Sequence, residues 1–344
     1  MTYSASTQYM LDTMKRLLAT DSPTGFTRQA TDLCAKEFEK LGIQASVTNK
    51  GCVLAELGGE GNPVIVTAHI DTLGGIVAEV KANGRLRISN LGGLKAVNCE
   101  TENVRIYARN GKVYDGCLQL CNPSTHVNPK AGTEERNFDT TEIVIDEDVH
   151  TKEETLALGI TNGCFVCFDP RTVITDSGYL KSRYLDDKLA AAVLFALAKK
   201  VQDGQLSLNR KVYLFLSTYE EVGHGGKAGL PGDAEEILAV DMGCVGIGLE
   251  GSERKVSICA KDAHGPYDYS VTDTLVGLAE KNGLNYAVDV YLNYSSDAQA
   301  AIAAGKDFRH ALIGPGVYAS HGYERSHVEG AENTLALLEA YLSE

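Results

Sequence analysis

A chain of 344 residues, 44% hydrophobic and 23% charged, can bury a sizeable core and is long enough for two domains. Its formal charge of −14 argues against nucleic acid or an anionic membrane as a partner. The longest apolar run, 189–198, is too short to span a bilayer and no basic-then-apolar leader opens the chain, so a cytoplasmic protein is expected.

In chain order, apolar residues at 10, 11, 14, 17 and 18 predict a helix over 9–18. Those at 30, 33, 34, 38 and 41 predict a second over 27–41, stopped by Gly42. Residues 52–57 read as a short strand, 58–63 as a turn cluster, and 64–68 as a β-branched strand closed by His69-Ile70-Asp71. The texture changes over 75–168. Hairpin signals surround Lys81-Ala82-Asn83-Gly84 and Arg109-Asn110-Gly111, residues 122–141 are polar and irregular, and strands follow at 141–145 and 163–168. This block reads as a small β-rich domain set into an α/β protein.

The α/β texture returns at Asp186. A helix over 188–200 is so apolar at 189–198 that it must be buried. Strands are predicted at 212–216, 237–240, 256–260, 286–291 and 311–313, and helices at 272–281, 297–304 and 333–342. The fold class is therefore α/β, a layered mixed sheet flanked by helices. Residues 1–74 and 169–344 form a discontinuous main domain, and 75–168 are inserted into it.

The nine cysteines are an odd number in a large chain, which fits reduced thiols better than a disulfide framework. Cys164 and Cys167 match a CxxC spacing but lie in a strand-like run, where residues three apart face opposite ways. His126, His150, His264 and His310 read as structural.

The candidate chemistry lies at strand ends and at the start of the buried helix: His69, Asp71, Asp186, Glu220, Glu221, Asp241 and His321. Each has a bland reading, such as a solvated corner for Glu220-Glu221, a helix cap for Asp186 or a turn for Asp241. Five such readings failing together at strand ends are harder to dismiss. A mixed His and carboxylate set suits borderline divalent cations, and a bridging carboxylate can hold two of them close together. Neighbours on a strand face opposite ways, so Glu220 and Glu221 should differ in role. Asp71, two positions from His69, lies on the same strand face and should take the imidazole N–H.

These segments resemble the tetrahedral and glutamyl aminopeptidases, cytosolic peptidases with two co-catalytic metals and a metallo-exopeptidase fold. Ala68-His69-Ile70-Asp71 is similar to that family's first signature, and Ser182 to Lys188 to the segment with its bridging Asp, here Asp186. Glu220-Glu221-Val222-Gly223 resembles the pair in which the first Glu is the general base and the second a metal ligand. Ala239-Val240-Asp241 resembles the fourth ligand motif, and Ser295-Ser296-Asp297-Ala298 a segment beside the active site. For the last ligand the chain departs from the family pattern. Spacing to Glu332-Asn333-Thr334 favours His321, whereas the His-Val-Glu run favours His327. His321 is expected, because His327 follows a charged Glu324-Arg325 pair that belongs on a surface and so should face solvent or the substrate entrance.

The resemblance implies a metallo-aminopeptidase acting on short peptides. His69 and Asp241 would hold one divalent ion, Glu221 and His321 the other, with Asp186 bridging, Glu220 as general base and Asp71 orienting His69. Zinc is the expected ion, with cobalt or manganese as alternatives. The inserted domain is expected to mediate dimerisation, and a homo-dodecamer built from dimers is implied. The competing readings are a related dinuclear carboxypeptidase or N-deacylase, and a non-catalytic scaffold on the same fold. A carbohydrase built on paired carboxylates would leave the histidines without a role.

Overall fold

The structure, a computed structural model, describes residues 3–343. The chain divides into two compact units, one of residues 1–71 and 171–344, the other of 72–170.

In the first unit the strand Val64–His69 is buried along its whole length, as are Val212–Ser217 and Glu236–Val240. Near-continuous apolar runs of this kind mark strands covered on both faces. The three run parallel, with Val64–His69 in the middle, and Arg309–Tyr318 lies parallel beyond Glu236–Val240. Val53–Gly58 joins one side antiparallel, and Val256–Asp262 pairs antiparallel with Arg309–Tyr318. Among the described residues the mixed sheet has 13 strands.

Alternate strand positions face opposite layers. Ile65, Phe215, Ile237, Ala239 and Leu312 form one core with Ala298 and Ala301 of the helix Asp297–Ala303. The helix Leu185–Gln202 packs against Val64–His69, Ala5–Leu18 and Val328–Ser343, and its residues 185–198 are all buried. Its Phe195 meets Phe38 of Arg28–Lys40 with ring centroids 4.7 Å apart. No helix among the described residues is long and apolar enough to cross a membrane.

The second unit is a closed barrel of Gly74–Val80, Leu86–Leu91, Thr141–Ile145, Val113–Leu120, Asn103–Tyr107 and Phe165–Phe168, all neighbours antiparallel. Closure removes the exposed edges that an open sheet of this size would leave. Beside it lies a helix, Lys152–Ala157, which the hydrophobic pattern does not predict. Its signal is a capping box: Thr151 accepts from the Glu154 amide while Glu154 accepts from the Thr151 amide.

Other differences from the sequence reading are local. The terminal helix starts at Val328 rather than at 333, and the strand expected over 311–313 runs the full length of Arg309–Tyr318. The short strands Val173–Ile174 and Tyr179–Ser182 carry too few alternating positions to be read. Among the described residues all nine cysteines are free.

Candidate metal centre

All the candidate ligands lie in the first unit. His69 ends one parallel strand, and Asp241 follows the end of another. Glu220 and Glu221 come three and four residues after Val212–Ser217, and His321 three after Arg309–Tyr318. Asp186 comes from the start of the buried helix, where Asp186 and Asp187 keep non-helical backbone angles, and its carboxylate faces His69 and His321.

Asp186 sits between two imidazoles. Its Oδ1 is 3.0 Å from His69 Nε2 and its Oδ2 is 3.5 Å from His321 Nε2. Glu221 Oε2 lies 3.6 Å from His321 Nε2, and Glu220 Oε2 lies 3.8 Å from His69 Nε2. Ligand atoms of His69, Asp186 and Glu221 fall within 4.8 Å of one another, as do those of His69, Asp187 and Asp241. His69 is common to both groups.

The glutamate pair diverges for a different reason from the one expected. The strand stops at Ser217, Tyr219 adopts a left-handed φ of 66°, and Glu220–Val222 forms a 3₁₀ turn. Such a turn rotates successive side chains by about 120°, with no pleat involved. Asp71 fastens that turn. Its Oδ1 accepts the Glu220 amide at 3.1 Å, and its Oδ2 accepts the Glu221 amide at 3.4 Å and the Thr24 hydroxyl at 2.6 Å. His69 Nδ1 lies 2.9 Å from the Asp71 carbonyl oxygen and 3.6 Å from its carboxylate. The nearer acceptor for the imidazole is therefore the main chain of Asp71, which leaves Nε2 for a cation.

Asp297 braces the glycine-rich segment behind the pair. Its carboxylate accepts the Ser217 hydroxyl and, at 2.5 Å, the Gly226 amide. A Cβ at Gly225 would fall 2.4 Å from Asp297 Oδ1, and one at Gly226 2.3 Å from the Asp297 carbonyl, so both positions require glycine.

The electrostatics are those of crowded carboxylates short of positive charge. Burial pushes Glu220 and Glu221 well above the usual carboxylate range, and Asp241 and Asp186, respectively, push them further. Asp241 is pushed up to about 7 by burial and by Asp186. Asp187 is raised by burial and by Asp241, and its Oδ1 is buried without a hydrogen-bond partner. Burial works against the charged form of Asp186 too, but the His69 hydrogen bond and the charges of His69 and His321 outweigh it and hold its carboxyl below the usual range. Buried charges of one sign are stable when paired or bound to metal. This donor set, imidazole with carboxylate, fits borderline divalent ions.

His327 does not face solvent. It is 4% exposed, its Nε2–H donates to the Ser177 carbonyl at 2.9 Å, and its Nδ1 accepts the Glu329 amide at 3.0 Å. Its ring also stands edge-on to Tyr179, with centroids 4.9 Å apart. Glu324, expected at the surface, is 2% exposed. Asp187 and Thr24 also touch the site without a sequence signal of their own. The Asp186-Asp187 pair could have suggested the first; nothing local marks the second.

The model of the M42 glutamyl aminopeptidase family matches residues 51–337. Over 339 residues the chain is 41% identical to YhfE of Bacillus subtilis (strain 168), provisionally named an aminopeptidase, covering 98% of each chain. Among solved structures, an aminopeptidase of the archaeon Desulfurococcus kamchatkensis matches with a TM-score of 0.86 at 22% identity, covering 99% of this chain and 96% of that one. The TET1 peptidase of Pyrococcus horikoshii, described as assembling into a tetrahedron or a large octahedral shell, matches with a TM-score of 0.85 at 22% identity, covering 97% and 99%. The fold is thus that of the TET peptidases. The chain belongs to the M42 glutamyl aminopeptidase family and is a peptide hydrolase.

Proposed function

We propose that this protein removes the N-terminal residue from short peptides using two co-catalytic divalent ions, zinc first, with cobalt or manganese as alternatives. His69 and Asp241 would hold one ion, Glu221 and His321 the other, and Asp186 would bridge them. The observation that carries this reading is Asp186, whose two carboxylate oxygens each face a different imidazole.

Ions held by these residues would supply Lewis acidity to the scissile carbonyl and to the attacking water. Glu220 takes that proton and returns it to the leaving amine. Its side chain is 14% exposed, so it reaches the reacting space while burial keeps its proton affinity high. Asp71 holds the amides of both glutamates and, through its carbonyl, the ring of His69.

The second unit is assigned to contacts between copies in a homo-dodecamer built from dimers, in line with the shells described for the TET1 peptidase. Nine free cysteines suit the reducing cytoplasm. Elemental analysis should find two divalent ions per chain. Free-amino peptides should be cleaved and N-acylated ones spared, with activity abolished by chelation. Full activity in a metal-free preparation, or preference for the N-acylated series, would overturn the reading.

A further inference from the structure

Glu324 lies under the centre rather than in it. Its strand, Glu324–His327, pairs with Tyr179–Ser182 so that Glu324 stands opposite Ser182, just ahead of the segment that delivers Asp186. The side chain is buried, and its two oxygens divide between the two ligand-bearing segments. Oε1 accepts the His321 amide at 3.0 Å, and Oε2 accepts the Asp186 amide at 3.1 Å.

Neither backbone segment is held by regular secondary structure. His321 has a left-handed φ of 63°, two residues after Ala319 at 58°, and Asp186 keeps non-helical angles at the head of its helix. A residue outside helix and sheet lacks a ladder partner for its amide, and a buried amide needs one. One carboxylate supplies both. Arg183 adds a second tie between the same segments, its Nη1 lying 3.4 Å from the Gly322 carbonyl.

We infer that Glu324 is a positioning residue that clamps the His321 and Asp186 segments together, and so sets the geometry of the ion shared by His321, Glu221 and Asp186. The inference rests on the dinuclear reading above, and it predicts unequal effects on the two ions. The ion on the His69 and Asp241 side keeps His69, whose imidazole is oriented by Asp71 independently of Glu324. Outer partners that hold ligands are worth roughly 10- to 100-fold in metal affinity.

The test uses the full chain, stripped of metal and titrated with zinc against a chromophoric chelator, together with cobalt substitution read by visible absorption. Wild type should bind two ions. Glu324→Gln, which keeps the shape but places an NH₂ against one of the two amides, should bind one ion as wild type does and the other about 10- to 100-fold more weakly, with an altered cobalt spectrum for that ion. Glu324→Asp keeps the charge but falls short by one methylene; it should show the same asymmetry and serves if the Gln variant does not fold. Unchanged affinities and spectrum in both variants would overturn the inference. So would equal weakening of both ions with a lower melting temperature of the metal-free protein, since that marks a general structural role. A wild type that binds no ion would overturn the proposed function itself, and this inference with it.

Discussion

Glu220 and Glu221 are adjacent in sequence, yet a 3₁₀ turn sends one towards His69 and the other towards His321. Their amide analogues should therefore fail differently. Glu220→Gln should keep both ions and lose on the order of 10²–10⁴ in turnover, the usual worth of a general base. Glu221→Gln should lose metal. Elemental analysis beside kcat separates the two, and exchanged phenotypes would reverse the roles assigned within the pair. The two histidines offer the same kind of contrast. His321→Ala should release about half the bound metal and nearly all activity. His327→Ala should keep both ions but lower stability by about 2–3 kcal/mol, because it strands the Ser177 carbonyl and the Glu329 amide. Denaturant unfolding together with metal content checks both, and metal loss from His327→Ala alone would move the ligand to 327.

At the scale of elements, the barrel carries a charge cluster that can be tested apart from the site. Glu142, 2% exposed on the strand Thr141–Ile145, faces Lys81 Nζ at 2.7 Å and Arg85 Nη1 at 2.5 Å. Burial pushes its carboxyl up, but the hydrogen bonds and charges of Lys81 and Arg85 outweigh it and hold the carboxyl below the usual range. The folded value thus lies below the unfolded one. The stabilisation is complete above the ordinary glutamate value of about 4.3 and is lost as pH falls through the lower, folded value. Glu142→Gln should cost about 1–2 kcal/mol at pH 7, the low end for a charged pair because Arg85 is 39% exposed and screened by solvent. Unfolding curves for the two proteins should converge at acid pH, where wild-type Glu142 is protonated as well. A gap that stays constant from pH 7 to 3 would show that the ion pairs contribute nothing.

For the whole molecule, the assignment of the inserted unit to subunit contacts makes a prediction about size. Deleting residues 75–168 and joining the ends should give a smaller assembly by light scattering. A product that runs at the parent's oligomeric size would refute that role.

The sequence by itself determined the α/β class, because strands buried on both faces read as near-continuous apolar runs, as 64–68 and 212–216 do. It also carried the candidate ligands and the candidate base, since parallel strands end where chemistry gathers and His69, Asp186, Glu220, Glu221, Asp241 and His321 stand at such ends or at the head of the buried helix. What only the tertiary structure decided was the environment of each group. Glu324 and His327 read as a polar, surface-like run, yet both are buried, because the short strand Glu324–His327 is covered by contacts with segments some 140 to 150 residues earlier, including Tyr179–Ser182 and Ser177. Likewise Asp71 gives its carboxylate to Thr24 and to the amides of Glu220 and Glu221 rather than to its neighbour His69. Local pattern records which face of an element is apolar. It does not record which distant amide or carbonyl a polar side chain will meet, and that meeting fixes the geometry of the site.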